Sequence, residues 1–243
     1  MKEVSEYLIN NYNKVKINSK NILENDVFIA LAGKKEHGNK YISEAINNGA
    51  KYVITDVQPN KKLNKLFSNN IILVENILDF LLSIAKIKRN LFLGKVIGIT
   101  GSIGKTSVKE NLKFFLSNYF SVSASIKSYN NYLGVILSLV NLNIKSDFAL
   151  FEIGTNNFSE ISKLTSIVRP TQIVITNIFP THLEKLLTTR NVAKEKSDIF
   201  NKKHNPLIKL AILHNDNQDE KYVVKIAKKQ KIRKIITFGN NNK

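Results

Sequence analysis

Hydrophobic and polar positions alternate between two periods along this chain. Short, continuous apolar runs are followed by stretches whose apolar residues recur every three to four positions. Asp26-Val27-Phe28-Ile29-Ala30-Leu31 predicts a strand, and Ile42, Ala45, Ile46 and Gly49 predict a helix that Asn48-Gly49 closes. Two more strands follow at Lys51–Thr55 and Asn70–Val74, then a helix from Ile77 to Phe92. Gly94 breaks this pattern, and a domain boundary is expected there, giving domains 1–93 and 94–243. The second series opens with a strand at Lys95–Thr100 and a glycine-rich turn. The helix after it has Val108, Leu112, Phe115, Leu116 and Tyr119 on one face. Further helices are expected at Tyr132–Leu142, Asn191–Lys203 and 218–230. Phe148–Ile153 and Gln172–Thr176 are continuous, largely apolar runs, as strands covered on both faces are. Leu210–Leu213 and Lys234–Phe238 complete the strands. Strands alternating with helices predict an α/β fold with mostly parallel sheets, a small N-terminal domain preceding a larger one.

Composition narrows the classes. Hydrophobic residues make up 43% of the 243, enough for a buried core, and charged residues make up 23%. Cysteine is absent, which excludes disulfides, thiolate metal sites and a cysteine nucleophile. No apolar run approaches the ~18 residues of a membrane span. The acidic start, Met1-Lys2-Glu3-Val4-Ser5-Glu6, lacks the apolar segment of a signal peptide. A cytoplasmic protein without membrane insertion is expected. The net charge is +18, of which +5 falls in residues 1–93 and +13 in 94–243. Only four of the 37 basic residues are arginines, the usual readers of base edges. The charge therefore reads as lysine-rich solvated faces suited to polyanionic small ligands, with no nucleic acid expected as partner.

The chemistry concentrates in the second series. Gly101-Ser102-Ile103-Gly104-Lys105-Thr106-Ser107 lies between a buried strand and an amphipathic helix, the setting of a phosphate-binding loop. Its glycines let amide groups face phosphate oxygens at a helix N-terminus. Lys105 would reach the β- and γ-phosphates, and the Thr106 hydroxyl would meet magnesium. The common pattern places four residues between its first glycine and the Gly-Lys pair; here Ile99 occupies that glycine position and Gly98 is one residue early. A plain glycine turn capping a helix is the alternative. Glu152 lies near the end of an otherwise apolar strand, where a carboxylate either ligates magnesium or turns to solvent. His182 follows the next strand on the same expected edge and by itself reads as a loop histidine. Lys196 shares a helix face with Val192, Ala193, Ile199 and Phe200, so it must snorkel, pair or be modified.

These motifs, taken in order, resemble the Mur ligases, which build the peptide of the bacterial wall precursor. The resemblance is carried by the phosphate loop, Asn130-Asn131-Tyr132-Leu133-Gly134-Val135, Phe151-Glu152-Ile153-Gly154-Thr155-Asn156, Thr176-Asn177 with His182, and Ala193-Lys194-Glu195-Lys196 through Phe200. Gly-Lys-Thr-Ser-Val-Lys-Glu and Glu-Ile-Gly-Thr-Asn resemble the branch that joins D-alanyl-D-alanine to UDP-N-acetylmuramoyl-tripeptide. The alternatives are the branch that adds the third residue to the UDP-dipeptide, and a non-catalytic nucleotide- or nucleic-acid-binding relative. Asn18-Ser19-Lys20, Asn25–Leu31 and His37–Tyr41 resemble the family's UDP-binding elements, with Lys20, His37 and Asn39 replacing the usual arginine, aspartate and histidine.

The resemblance implies ATP and Mg2+ as cofactors. It implies that Gly101, Ser102, Gly104, Lys105, Thr106, Ser107 and, on the adenosine side, Asn215 bind nucleotide. Ser19, Lys20, Asn130 and Asn131 would contact substrate. Thr106, Glu152, His182 and a carbamylated Lys196 would hold metal, with Lys105, Lys196 and His182 taking part in catalysis. Family members continue well past Phe238-Gly239, and a monomer is expected for a full-length chain. The resemblance therefore implies an incomplete central domain, no C-terminal domain and no complete ligation by these residues alone.

Overall fold

The structure is a computed structural model that describes residues 1–33, 36–126 and 128–240. The chain divides into two units, Met1–Lys88 with Val140–Asn143 and Arg89–Leu139 with Ile144–Lys243.

In the first unit, strands β1 (Val15–Lys16), β2 (Asp26–Ile29), β3 (Ala50–Thr55) and β4 (Ile71–Leu73) form a parallel sheet in chain order. Helices α1 (Lys2–Asn10), α2 (Ile42–Asn47), α3 (Lys61–Phe67) and α4 (Ile77–Leu91) accompany it. Ile22, Phe28, Ala30, Ile42, Ala45, Ala50 and Val53 make one core cluster. A lysine is also buried here. Lys88 Nζ donates to the carbonyl oxygens of Leu8 at 3.1 Å, Asn11 at 2.6 Å and Val140 at 2.8 Å. Leu8 and Asn11 lie at the end of α1, so the ammonium satisfies carbonyls that a helix terminus leaves open.

The second unit contains β5 (Lys95–Thr100), α5 (Lys105–Ser117), β6 (Val122–Ala124), α6 (Tyr132–Val140), β7 (Phe148–Glu152), α7 (Glu160–Val168), β8 (Gln172–Ile175), α8 (Leu183–Leu186), α9 (Thr189–Ser197), β9 (Leu210–His214), α10 (Gln218–Lys229) and β10 (Lys234–Phe238). Its six strands are all parallel, in the order β10-β9-β8-β5-β7-β6. Ile97, Ile99, Phe148, Leu150 and Val174 form a cluster packed by Val108, Leu112 and Leu116 of α5. Since β7 and β8 flank β5 in parallel, the segments after all three emerge at one edge of the sheet.

Sequence periodicity overextends several elements. The stripe drawn through Phe115 and Tyr119 does not stay buried: these residues are 64% and 83% exposed. The helix stops at Ser117, which strands Tyr119 in the following turn, and Phe115 stacks edge-on with Phe114 at the surface. The helix expected to reach Lys203 ends at Ser197, followed by a 3-10 turn over Asp198–Phe200. Four elements too short or too polar to stand out, β1, β6, α3 and α8, are additions to the sequence reading. So are α1 and α7.

Candidate functional site at the carboxyl edge of the central sheet

The loop after β5 is held from behind by the loop after β8. Ser102 and Ile103 donate their amides to the Asn177 carbonyl and Oδ1, at 3.1 and 3.0 Å. Thr176 Oγ1 donates to the Ile103 carbonyl at 2.6 Å, and Ser102 Oγ donates to the Phe179 carbonyl at 3.0 Å. Gly101 has φ +146°, and a Cβ there would sit 1.9 Å from Thr176 Oγ1, so only glycine fits. Gly104 has φ +82° with open space around it; its requirement is the left-handed backbone that starts α5.

Lys105 folds back over this loop. Its Nζ donates to the carbonyls of Gly101 at 2.8 Å and Ser102 at 3.2 Å. Burial lowers its pKa, and the Glu152 carboxylate works against that shift. Thr106 Oγ1 donates to Glu152 Oε2 at 3.1 Å. Glu152, last in β7, is completely buried, and Lys109 Nζ approaches its Oε1 at 3.1 Å. The solvent-facing alternative for Glu152 is therefore excluded. Ser107 is exposed on α5.

A cleft of about 260 Å³ opens beside the loop. Lys105, Asn130, Asn131, Gly154, Thr155, Asn156, Lys163 and His182 line it. Asn130 and Asn131 also order its wall. The Asn130 carbonyl accepts the Gly154 amide at 2.9 Å, and Asn131 Oδ1 accepts the Gly134 amide at 2.9 Å. His182 precedes α8 with φ +55°. Asn215 stands apart in the β9–α10 turn, where its amide donates to the Phe238 carbonyl. Glu220, buried in α10, closes a capping box with Asn217 and also accepts the Ile178 amide, joining that turn to the loop after β8.

Lys196 is 1% exposed, among Val192, Ala193, Ile199 and Phe200. Burial, followed by the charge of Lys105, pushes its pKa down to about 7, with Glu195 opposing. Its neighbour Glu195 is a residue the sequence reading passed over. Its carboxylate accepts the amides of Ser159 at 2.8 Å and Ile161 at 2.9 Å, so α9 ties down the start of α7 and the loop that lines the cleft. The (i, i+3) and (i, i+4) rule that singles out Lys196 gives no sign of Glu195.

The donors present suit a hard divalent cation. The buried Glu152 carboxylate and the Thr106 hydroxyl are oxygen ligands, with Glu152 Oε2 beside Thr106 and Oε1 paired to Lys109. Among the described residues no three His, Cys, Asp or Glu side chains converge on a metal site. Ser19 and Lys20 belong to the first unit. There Ser19 Oγ donates to Glu44 Oε2 at 2.8 Å, and Lys20 is exposed.

Comparison with known proteins gives the family. Residues 99–243 match the Mur ligase middle domain, and residues 11–89 match the Mur ligase family catalytic domain. The chain belongs to the Mur ligase family. Among curated Mur ligases it is 38% identical over 233 residues to the UDP-N-acetylmuramoyl-tripeptide--D-alanyl-D-alanine ligase of Rickettsia prowazekii, covering 96% of this chain and 50% of that protein. The enzyme of the same name from Synechocystis is 32% identical, covering 93% and 48%. Among solved structures, the MurF ligase of Thermotoga maritima in complex with ADP superposes with a TM-score of 0.75 at 31% identity, covering 97% of this chain and 52% of that one. The chain thus spans about half the length of the Mur ligases it matches. Among the described residues no helix is long and apolar enough to cross a membrane.

Proposed function

We propose that these residues bind magnesium-ATP and the UDP-tripeptide for an ATP-dependent ligation to D-alanyl-D-alanine. In that reaction a carboxylate oxygen of the tripeptide attacks the γ-phosphorus and ADP leaves. The dipeptide amine then attacks the acyl carbon, losing a proton, and phosphate leaves. The observation that carries the reading is the Lys105–Thr106–Glu152 constellation at the mouth of a cleft lined by Asn130, Asn131 and His182. The relatives' names and the ADP held by the Thermotoga enzyme support it.

Each residue has a task that follows from its chemistry. The loop at 101–104 presents backbone to phosphates at the start of α5. Lys105, released from the Gly101 and Ser102 carbonyls, neutralises charge on the transferring phosphoryl group. Magnesium supplies further neutralisation of the phosphate oxygens when bound, and Thr106 and Glu152 are the oxygens that would hold it. Lys196, with a pKa near 7, is an amine able to add carbon dioxide, which would turn a buried cation into an anionic oxygen donor beside Lys105. His182 and that carbamate complete the proposed polar lining. The unit containing Ser19 and Lys20 is assigned to the UDP moiety, and the unit containing Asn215 to the nucleotide.

The test is equilibrium binding of UDP-tripeptide and UDP-dipeptide in the presence of magnesium-ATP. Saturable binding that favours the tripeptide is expected. Preference for the dipeptide would assign the chain to the branch adding the third residue, and binding of neither would contradict the proposal.

A further inference from the structure

The role of Lys109 is not accounted for by the reading above. It lies one helical turn beyond Lys105 in α5 and is completely buried. Its Nζ is 3.1 Å from Glu152 Oε1 and 3.1 Å from Glu110 Oε1, and it donates to the Ser125 carbonyl at 2.8 Å. The other Glu152 oxygen, Oε2, accepts from Thr106. The two oxygens are therefore divided between partners: one faces an internal cation, the other the phosphate loop. The terminal torsion of a glutamate is broad and two-fold, so an unrestrained carboxylate turns readily. A buried ammonium that also grips the β6 end through Ser125 removes that freedom. It also compensates a carboxylate that could not stay buried and unpaired without large cost.

We infer that Lys109 is a positioning residue for the metal–nucleotide site: it holds Oε1 of Glu152, so that Oε2 is presented beside Thr106 to the divalent cation carried by the nucleotide phosphates. The inference rests on the nucleotide-binding reading above. Lys109 touches neither nucleotide nor reacting atoms and acts through Glu152. A purely architectural lysine, welding α5 to β6 and β7, would affect all nucleotide binding alike. A positioning lysine affects only the part that depends on metal.

The experiment measures ATP affinity with excess magnesium and with a chelator, for the wild type, Lys109→Met, Glu152→Gln and the double variant. The readout is the factor by which magnesium tightens binding. The wild type is expected to show at least tenfold. Lys109→Met is expected to cut that factor at least fivefold while changing metal-free affinity less than threefold. In the Glu152→Gln background, Lys109→Met is expected to change the factor less than twofold, because the coupling runs through that carboxylate. A magnesium factor unaltered in Lys109→Met, or parallel loss of metal-free and metal-dependent affinity, overturns the inference and leaves the nucleotide site standing. Absence of any magnesium effect in the wild type overturns the site reading itself. Should Lys109→Met fail to fold, a crystal structure of the wild type with magnesium-ADP decides. Lys109 Nζ within 3.5 Å of Glu152 Oε1 supports the inference, and separation beyond 4 Å overturns it.

Discussion

Lys88 in the first unit and Lys196 in the second are buried to the same extent, 0% and 1% exposed, yet their surroundings differ. Three carbonyl oxygens surround the Lys88 ammonium, whose pKa burial lowers to about 8. Lys196 makes no hydrogen bond or ion pair among the described residues, and burial with the Lys105 charge takes its pKa to about 7. Burial alone therefore does not mark a functional lysine; the state of its partners does. Lys88 is a cation the fold consumes in closing the end of α1. Lys196 is a cation the fold tolerates, at a cost in stability, beside Lys105.

The strongest way to break this contrast is to delete each amine. Lys88→Met leaves three carbonyls without their donor, and a buried unsatisfied polar group costs about 1–3 kcal/mol. The variant is expected to lose on the order of 3 kcal/mol or more in urea unfolding. Stability unchanged in Lys88→Met would show that those carbonyls find other partners.

Lys196→Met is expected to move the other way, because it removes a buried charge that Glu195 only partly offsets. The folded pKa, about 7, lies below the ordinary 10.5, so between those values the unfolded chain holds a proton that the folded chain has released. Wild-type stability should therefore rise with pH across that window, with the full penalty present below pH 7. The methionine variant should be more stable than the wild type by on the order of 2 kcal/mol at pH 6, the advantage shrinking toward pH 10. Denaturant midpoints across that range check it; an advantage that grows with pH would contradict the assignment.

A smaller, sharper difference is chemical. With carbon-13 bicarbonate, one carbamate resonance is expected in the wild type and in any folded Lys88 variant, and none in Lys196→Met. A resonance that survives Lys196→Met would place the modification elsewhere.

Much of this was legible from residue order. The continuous apolar runs Phe148–Ile153 and Gln172–Thr176 announce strands covered on both faces, and parallel pairing then carries the loops after β5, β7 and β8 to one edge. The face rule that picked out Lys196 would have found Lys88 as well, since it shares a face with Leu81, Ile84 and Ala85. What hides Lys88 is that no neighbouring motif distinguishes it from a surface lysine at the edge of an amphipathic stripe. Lys109 is harder to see. It stands at i+4 from Lys105, but its burial depends on the depth at which Glu152 ends β7, which only tertiary packing fixes. The overlong stripe to Tyr119 has the converse cause: helical period continues in the sequence after the helix itself has stopped.

The central claim is that residues 101–107 form a magnesium-ATP site in which Lys105 takes part directly. Calorimetric titration of the wild type and Lys105→Ala with magnesium-ATP tests it most simply. At least tenfold weaker binding by Lys105→Ala is expected, equivalent to about 1.4 kcal/mol. Equal affinity in the two proteins would contradict the claim.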